Sequence, residues 1–271
     1  MSPFSDLLLV FAVGLVTGLA TGLGVLPFFV LEEIRDRWLV VLWGVATGIL
    51  LSATAFGLLA EGIAAGGVGS VALGILAGIA FVFLADRVIG GYELAPSAVS
   101  DVDPQTVVLT VAVLTIHSVP EGIAVGVSFV DPTNGTVEIA GLALPSLAVF
   151  MAIAISILNV PEGLAIAIPL IAYGMDRWKV VGWAVFSGLP QPIGAVVAYV
   201  FVTTFEGLLA LSFGFAAGAL LYLVVVEFLP AGVAAGADLE NRGRAELLGG
   251  ALVGFVATLA IIAAAEGIGT V

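Results

Sequence analysis

The chain has 271 residues, 61% of them hydrophobic and 10% charged, with a mean hydropathy of +1.26, whereas a soluble fold of this length needs a far more polar exterior. Its 20 acidic and 7 basic side chains leave a net charge of −13, which argues against nucleic acid and anionic substrates as partners. Cysteine is absent, so disulfides and thiolate ligands are excluded and any metal site must use oxygen and the single imidazole.

Apolar runs of the roughly 20 residues needed to cross a bilayer recur along the chain. They predict an all-α integral membrane protein with eight transmembrane helices, near 6–31, 39–63, 68–88, 106–130, 140–174, 180–204, 207–235 and 247–265. These spans nearly use up the sequence, so 1–271 is expected to be one transmembrane domain. No positive charge precedes the first run, which therefore does not read as a cleaved signal peptide. The long run at 140–174 must include an interfacial piece.

The basic residues partition cleanly. Arg35 and Arg37 follow the first span, Arg87 ends the third, Arg177 and Lys179 follow the fifth, and Arg242 and Arg244 follow the seventh. All seven fall on connections at one face of an eight-span chain. The positive-inside rule then puts that face in the cytoplasm and both termini outside, in a multi-pass protein of the plasma membrane. The acidic excess fits either a high-salt cytoplasm or acidic loops that gather cations.

Residues 44–51 in span two resemble residues 214–221 in span seven, with glycines at the same spacing. Spans two and seven run in opposite directions, as do four and five. This pattern predicts an inverted repeat, spans 1–3 against 6–8 with 4 and 5 as a central pair, and such transporters hold substrate near the midplane. The glycines alone have a plainer reading as helix-packing residues.

Packing does not account for the glutamates. Span four carries His117-Ser118-Val119-Pro120-Glu121-Gly122 and span five carries Leu158-Asn159-Val160-Pro161-Glu162-Gly163. Each places an ionisable side chain and a helix-disrupting proline at membrane depth, where a charge costs several kcal/mol unless paired, hydrated or ligated. His117 and Glu121, four apart, share one helix face, as do Leu158 and Glu162. Ser118 and Asn159 lie beside those faces. Antiparallel packing of spans four and five would bring both clusters level. A lone kink with a snorkelling glutamate would explain one copy and explains two poorly.

Span six adds Ser187-Gly188-Leu189-Pro190-Gln191-Pro192, in which Gln191 offers either a neutral oxygen ligand or a structural hydrogen bond. The expected metal ligands are therefore His117, Glu121, Asn159 and Glu162, with Gln191 and Ser118 as helpers. Glu227 in span seven, Asp86 at the cytoplasmic end of span three and Glu61 at the outer end of span two are candidates for the pathway.

These motifs, with Val226-Glu227-Phe228-Leu229-Pro230, resemble the ZIP (Zrt/Irt-like) divalent metal transporters, in particular their prokaryotic GufA-like branch. The resemblance covers essentially the whole chain. It implies eight spans with both termini outside, uptake of zinc, iron(II), manganese or a similar ion into the cytoplasm, and in many prokaryotic members a two-metal centre between spans four, five and six. It also admits a homodimer. The chain departs from the family pattern at Ser118, where asparagine is usual, at Leu158, where a polar ligand is common, and at Gln191, where glutamate is common. A histidine-rich loop between spans three and four is missing, since residues 91–105 contain no histidine. Two glutamates balance one divalent ion, so a single metal is expected in place of two. No cofactor is expected beyond the transported ion, with zinc the first candidate, although one nitrogen among oxygen ligands also suits iron(II) and manganese.

Enzyme chemistry is not expected. A metalloprotease helix needs His-Glu-x-x-His, which one histidine cannot supply, and Ser118 and His117 are sequence neighbours, so they do not make a hydrolase pair. There is no phosphate-binding Gly-x-x-x-x-Gly-Lys-[Ser/Thr] run, so transport would be driven by an ion gradient or the membrane potential. The alternatives are a non-transporting, metal-binding membrane sensor and a carrier of another solute.

Overall fold

The structure is a computed structural model and describes residues 3–32, 34–89, 104–130, 135–139 and 141–268. The connection without histidine, 91–105, falls almost wholly outside the described residues.

Helix follows apolarity along most of the described residues. α1 (Pro3–Ala20) continues into a 3₁₀ stretch, Thr21–Phe29, that carries Pro27. α2 (Asp36–Ser52) runs through a π-helical stretch, Ala53–Leu59, into α3 (Ala60–Ile89). Together these form one apolar segment, Asp36–Val88, of 53 residues. At 1.5 Å per residue it would measure roughly 80 Å, well over twice the roughly 30 Å hydrocarbon core. It is interrupted at Gly67, whose φ of 81° and ψ of 168° only glycine adopts without strain.

α4 (Pro104–Ser128) and α5 (Ser146–Ala172) carry the two Pro-Glu-Gly motifs. α6 (Arg177–Gly188) and α7 (Pro190–Thr204) meet at Leu189, where the paired prolines interrupt the helix. α8 (Leu209–Leu223) passes through a second π-helical stretch, Val224–Phe228, into α9 (Leu229–Ala235). α10 (Arg244–Ile268) follows. Among the described residues, six segments are long and apolar enough to cross a membrane: Phe4–Phe29, Asp36–Val88, Ser146–Ala172, Arg177–Thr204, Glu206–Ala235 and Glu240–Ile262.

One correction concerns the fifth apolar run. Its first residues are not helix: β1 (Thr136–Ile139) pairs antiparallel with β2 (Leu142–Pro145), and α5 starts only at Ser146. Ile139 pairs with Leu142, and Gly141 just before Leu142 has φ 79°, the positive φ that tight hairpins favour. This hairpin is the piece that the over-long run had to contain, and among the described residues it adds the two strands to an otherwise helical fold.

Packing follows the small residues, as it must where lipid removes the hydrophobic drive between helices. α2 lies along α10 and α3 along α8, while α4 lies along α7 and the 3₁₀ stretch lies against α5. Gly44 and Gly48 press α2 onto the α10 backbone at Leu247 and Ala251, and Gly214 and Gly218 press α8 onto Val71 and Ile75. At the centre, Gly163 of α5 meets the Thr21 carbonyl, and Gly122 of α4 meets the Gln191 carbonyl. A methyl at either place would overlap backbone, so each Pro-Glu-Gly motif brings its glutamate and a close helix contact to the same level.

Candidate metal centre

The centre of the bundle holds a group of polar side chains that are almost fully buried: His117, Ser118, Glu121, Asn159, Glu162, Gln191 and Glu227. α4 supplies His117 and Glu121, α5 supplies Asn159 and Glu162, the first turn of α7 supplies Gln191, and the π-helical stretch after α8 supplies Glu227.

Glu121 and Glu162 face one another within hydrogen-bonding reach, as level antiparallel motifs require. Gln191 crosslinks them to Asn159. Its Nε2 donates to Glu121 Oε2, and its Oε1 accepts from Asn159 Nδ2 at 3.2 Å. Asn159 Nδ2 also donates to the Thr17 carbonyl at 2.6 Å. The change from α to 3₁₀ bonding at the end of α1 releases carbonyls at the junction, and Thr17 lies next to it.

His117 makes its close contacts with two other carboxylates, near enough that its charge still acts on Glu162 and that of Glu227 on both motif glutamates. Its Nδ1 lies 2.6 Å from Glu227 Oε2 and its Nε2 lies 3.2 Å from Asp86 Oδ1. Nε2 has hydrogen-bond geometry to Asp86, whereas Nδ1 approaches Glu227 as a close ion-pair contact and makes no hydrogen bond. Asp86 is partly exposed and also meets the Tyr222 hydroxyl.

The expected residues thus divide. Glu121, Glu162, Asn159 and Gln191 form one connected group, and His117, Glu227 and Asp86 form a second beside it. Ser118 belongs to neither, because its hydroxyl donates to the Leu114 carbonyl of its own helix at 3.2 Å. Glu61 is half-buried at the start of α3, beside Gly62, which packs on Ala210 and Phe213 at the first turn of α8. Leu158 is fully buried and apolar. The Thr17 carbonyl was invisible to sequence reasoning, since a backbone acceptor leaves no residue signature.

Several oxygens here have no hydrogen-bond donor: Glu121 Oε1, Asn159 Oδ1, Glu162 Oε1 and Glu227 Oε1. Each such buried acceptor costs about 1–3 kcal/mol if left unanswered, more when charged, and oxygens of this kind fit a cation as ligands. Among the described residues, no three His, Asp or Glu side chains are drawn together as a finished metal site. The oxygens come from a mixture of carboxylates and amides, and the imidazole lies beside them against Glu227 and Asp86.

The ZIP Zinc transporter family model matches residues 98–262, a stretch that contains α4 to α9 and both motifs. A zinc transporter ZupT of Corynebacterium efficiens is 30% identical over 285 residues, covering 95% of this chain and 97% of its own length. A putative zinc transporter of Arabidopsis thaliana is 36% identical over 212 residues; the match takes in 78% of this chain but only 32% of that longer protein. Human zinc transporter ZIP11 is 33% identical over 156 residues, 57% of this chain and 42% of its own. The family match spans well over half of the chain and the corynebacterial similarity nearly all of it, so the chain belongs to the ZIP zinc transporter family.

Proposed function

We propose that this protein carries divalent transition-metal ions, zinc first and iron(II) or manganese as further substrates, across the plasma membrane into the cytoplasm. The observation that carries the reading is the set of buried, donorless oxygens on Glu121, Asn159, Glu162 and Glu227 at the centre of an apolar bundle. A divalent cation would answer those of Glu121, Asn159 and Glu162 together, and its charge would offset two carboxylates in low dielectric. Relatives named as zinc transporters support the substrate class and favour transport over enzyme chemistry.

The chain crosses eight times in this reading. The break at Gly67 supports two crossings in the 53-residue segment, and α4 is long enough for one more. The helix pairing supports the inverted repeat. Exchanging spans 1–3 with 6–8 and four with five turns the α2–α10 contact into α8–α3, and the α4–α7 contact into α5 with the end of span one. The two π-helical stretches, Ala53–Leu59 and Val224–Phe228, exchange as well. Spans four and five, with one and six, form the ion-binding core, and the other four spans form its frame. The Arg37–Glu246 ion pair at 3.1 Å and the Phe29–Trp178 ring contact at 4.8 Å gather three connections with basic residues at one end, which supports placing that end in the cytoplasm.

The centre takes one ion. Gln191 supplies a neutral crosslink where a carboxylate would add the charge for a second metal. Glu121, Glu162 and Asn159 receive the ion, and His117 joins when it lets go of Glu227 and Asp86, which then stand as the next acceptors toward the cytoplasm.

Radiometal uptake into proteoliposomes, wild type beside Glu121→Ala with zinc, iron(II), manganese and cadmium in turn, tests the reading. Saturable uptake that the substitution abolishes is the expected result. Metal binding without uptake by the wild type would make the protein a sensor instead.

A further inference from the structure

Away from the centre, α2 and α10 both begin at the end of the molecule that carries the basic residues, and they run side by side. An open groove of about 610 Å³ lies between their first turns, lined by Arg35, Arg37, Trp38, Val41, Val45 and Val253 among others. Its mouth is basic and its walls are apolar. Four of the seven basic residues of this strongly acidic chain, Arg35, Arg37, Arg242 and Arg244, stand at the starts of these two helices.

Arg37 pairs through Nε with Glu246 at 3.1 Å, and its side chain is 73% exposed. That bond uses one of five guanidinium N–H donors, and a fork held this way is ready to meet a phosphate. Asp36 and Glu246 bring negative charge to the same turns, and the ion pair with Glu246 offsets part of the charge of Arg37, so Arg35 carries much of the positive character of the mouth. The first turns of both helices add their positive dipole ends. Trp38 is 62% exposed beside the arginines, as an indole at a membrane interface would be. Gly249 also lines the groove, and a Cβ there would meet nothing within 4 Å, so the absent side chain keeps the groove open.

We propose that this groove is a binding site for an anionic phospholipid, its headgroup phosphate on Arg35 and Arg37 and one acyl chain along Val41, Val45 and Val253. A free phosphate would use the arginines and leave the apolar wall to no purpose, whereas a lipid uses both. Basic pockets between transmembrane helices at the headgroup level suit this ligand class.

Native mass spectrometry of the full chain in detergent tests the site, with phosphatidylglycerol and phosphatidylcholine of identical acyl chains as probes. The wild type should retain phosphatidylglycerol over phosphatidylcholine. Arg35→Ala with Arg37→Ala should weaken phosphatidylglycerol binding roughly fivefold for each arginine and leave phosphatidylcholine unchanged, while the paired lysine variant keeps most of the preference. Gly249→Leu should lower retention of both lipids; if it fails to fold, the surface arginine variants still decide. Equal retention of the two lipids by the wild type would overturn the proposal, as would a preference that survives the double alanine change. Displacement of the lipid by millimolar inorganic phosphate would assign the arginines to a free anion. A shift between monomer and dimer in Gly249→Leu, with lipid retention unmoved, would assign the groove to a second copy. Either result would also overturn the lipid site.

Discussion

Replacing His117 with leucine, the residue at the matching place in the second motif, removes the partner of two carboxylates at once. Glu227 is nearly buried, pairs with the imidazole at 2.6 Å, and has no hydrogen-bond donor on either oxygen otherwise. Asp86 is more exposed, sits farther from the ring at 3.2 Å, and keeps the Tyr222 hydroxyl. Removing one member of a buried pair costs about 3–5 kcal/mol, because the other is left uncompensated. Most of that cost should trace to Glu227. A double-mutant cycle of His117→Leu with Glu227→Leu is therefore expected to show a coupling of about 2–3 kcal/mol, and the cycle with Asp86→Ala roughly 1 kcal/mol or less. Unfolding free energies from detergent titrations, followed by far-UV circular dichroism, supply the four corners of each cycle. Additivity within about 0.5 kcal/mol for the Glu227 cycle, or a larger coupling to Asp86 than to Glu227, would refute the reasoning.

Other outcomes follow from the same geometry. Gly163→Ala forces a methyl against the Thr21 carbonyl and should cost about 1–3 kcal/mol; because it moves α5 from the Asn159–Thr17 contact, zinc affinity by calorimetry should fall on the order of tenfold. Gln191→Glu turns a neutral crosslink into a third carboxylate beside Glu121, and the zinc stoichiometry should rise from one equivalent toward two; two equivalents in the wild type would contradict the single-ion centre. Ser118→Ala should leave stability within about 0.5 kcal/mol and uptake unchanged, since the hydroxyl returns to its own helix. Zinc affinity should fall as pH drops from neutral toward acid, because ligands must be deprotonated and protons compete for the same oxygens; affinity that holds steady or rises with acidity would remove the carboxylates from the ligand set.

Much was legible in sequence because lipid is an unforgiving solvent. Backbone groups in hydrocarbon must bond within their own segment, so long apolar runs had to be helices. The same penalty made Glu121 and Glu162 conspicuous, and the repeated Pro-Glu-Gly spacing was enough to put them at one level of the bundle. The boundary of α5 was not legible. Residues 136–145 are apolar enough to continue a span, and what turns them into a hairpin is Gly141 at positive φ and the pairing of β1 with β2.

The direction of each polar side chain was also decided by tertiary packing. His117 and Glu121 share a helix face by spacing, yet one turns to Glu227 and Asp86 and the other to Gln191 and Glu162. Spacing along one helix reports which side chains lie on a common face. It carries no information about which neighbouring helix supplies their partners, and a backbone acceptor such as the Thr17 carbonyl writes nothing into the sequence. The apolar runs and buried charges set what this chain had to be, a membrane bundle with a polar centre. Only the close approach of small-residue helix faces decided that Gln191, Asn159 and Thr17 tie one side of that centre together while Glu227 and Asp86 hold the imidazole on the other.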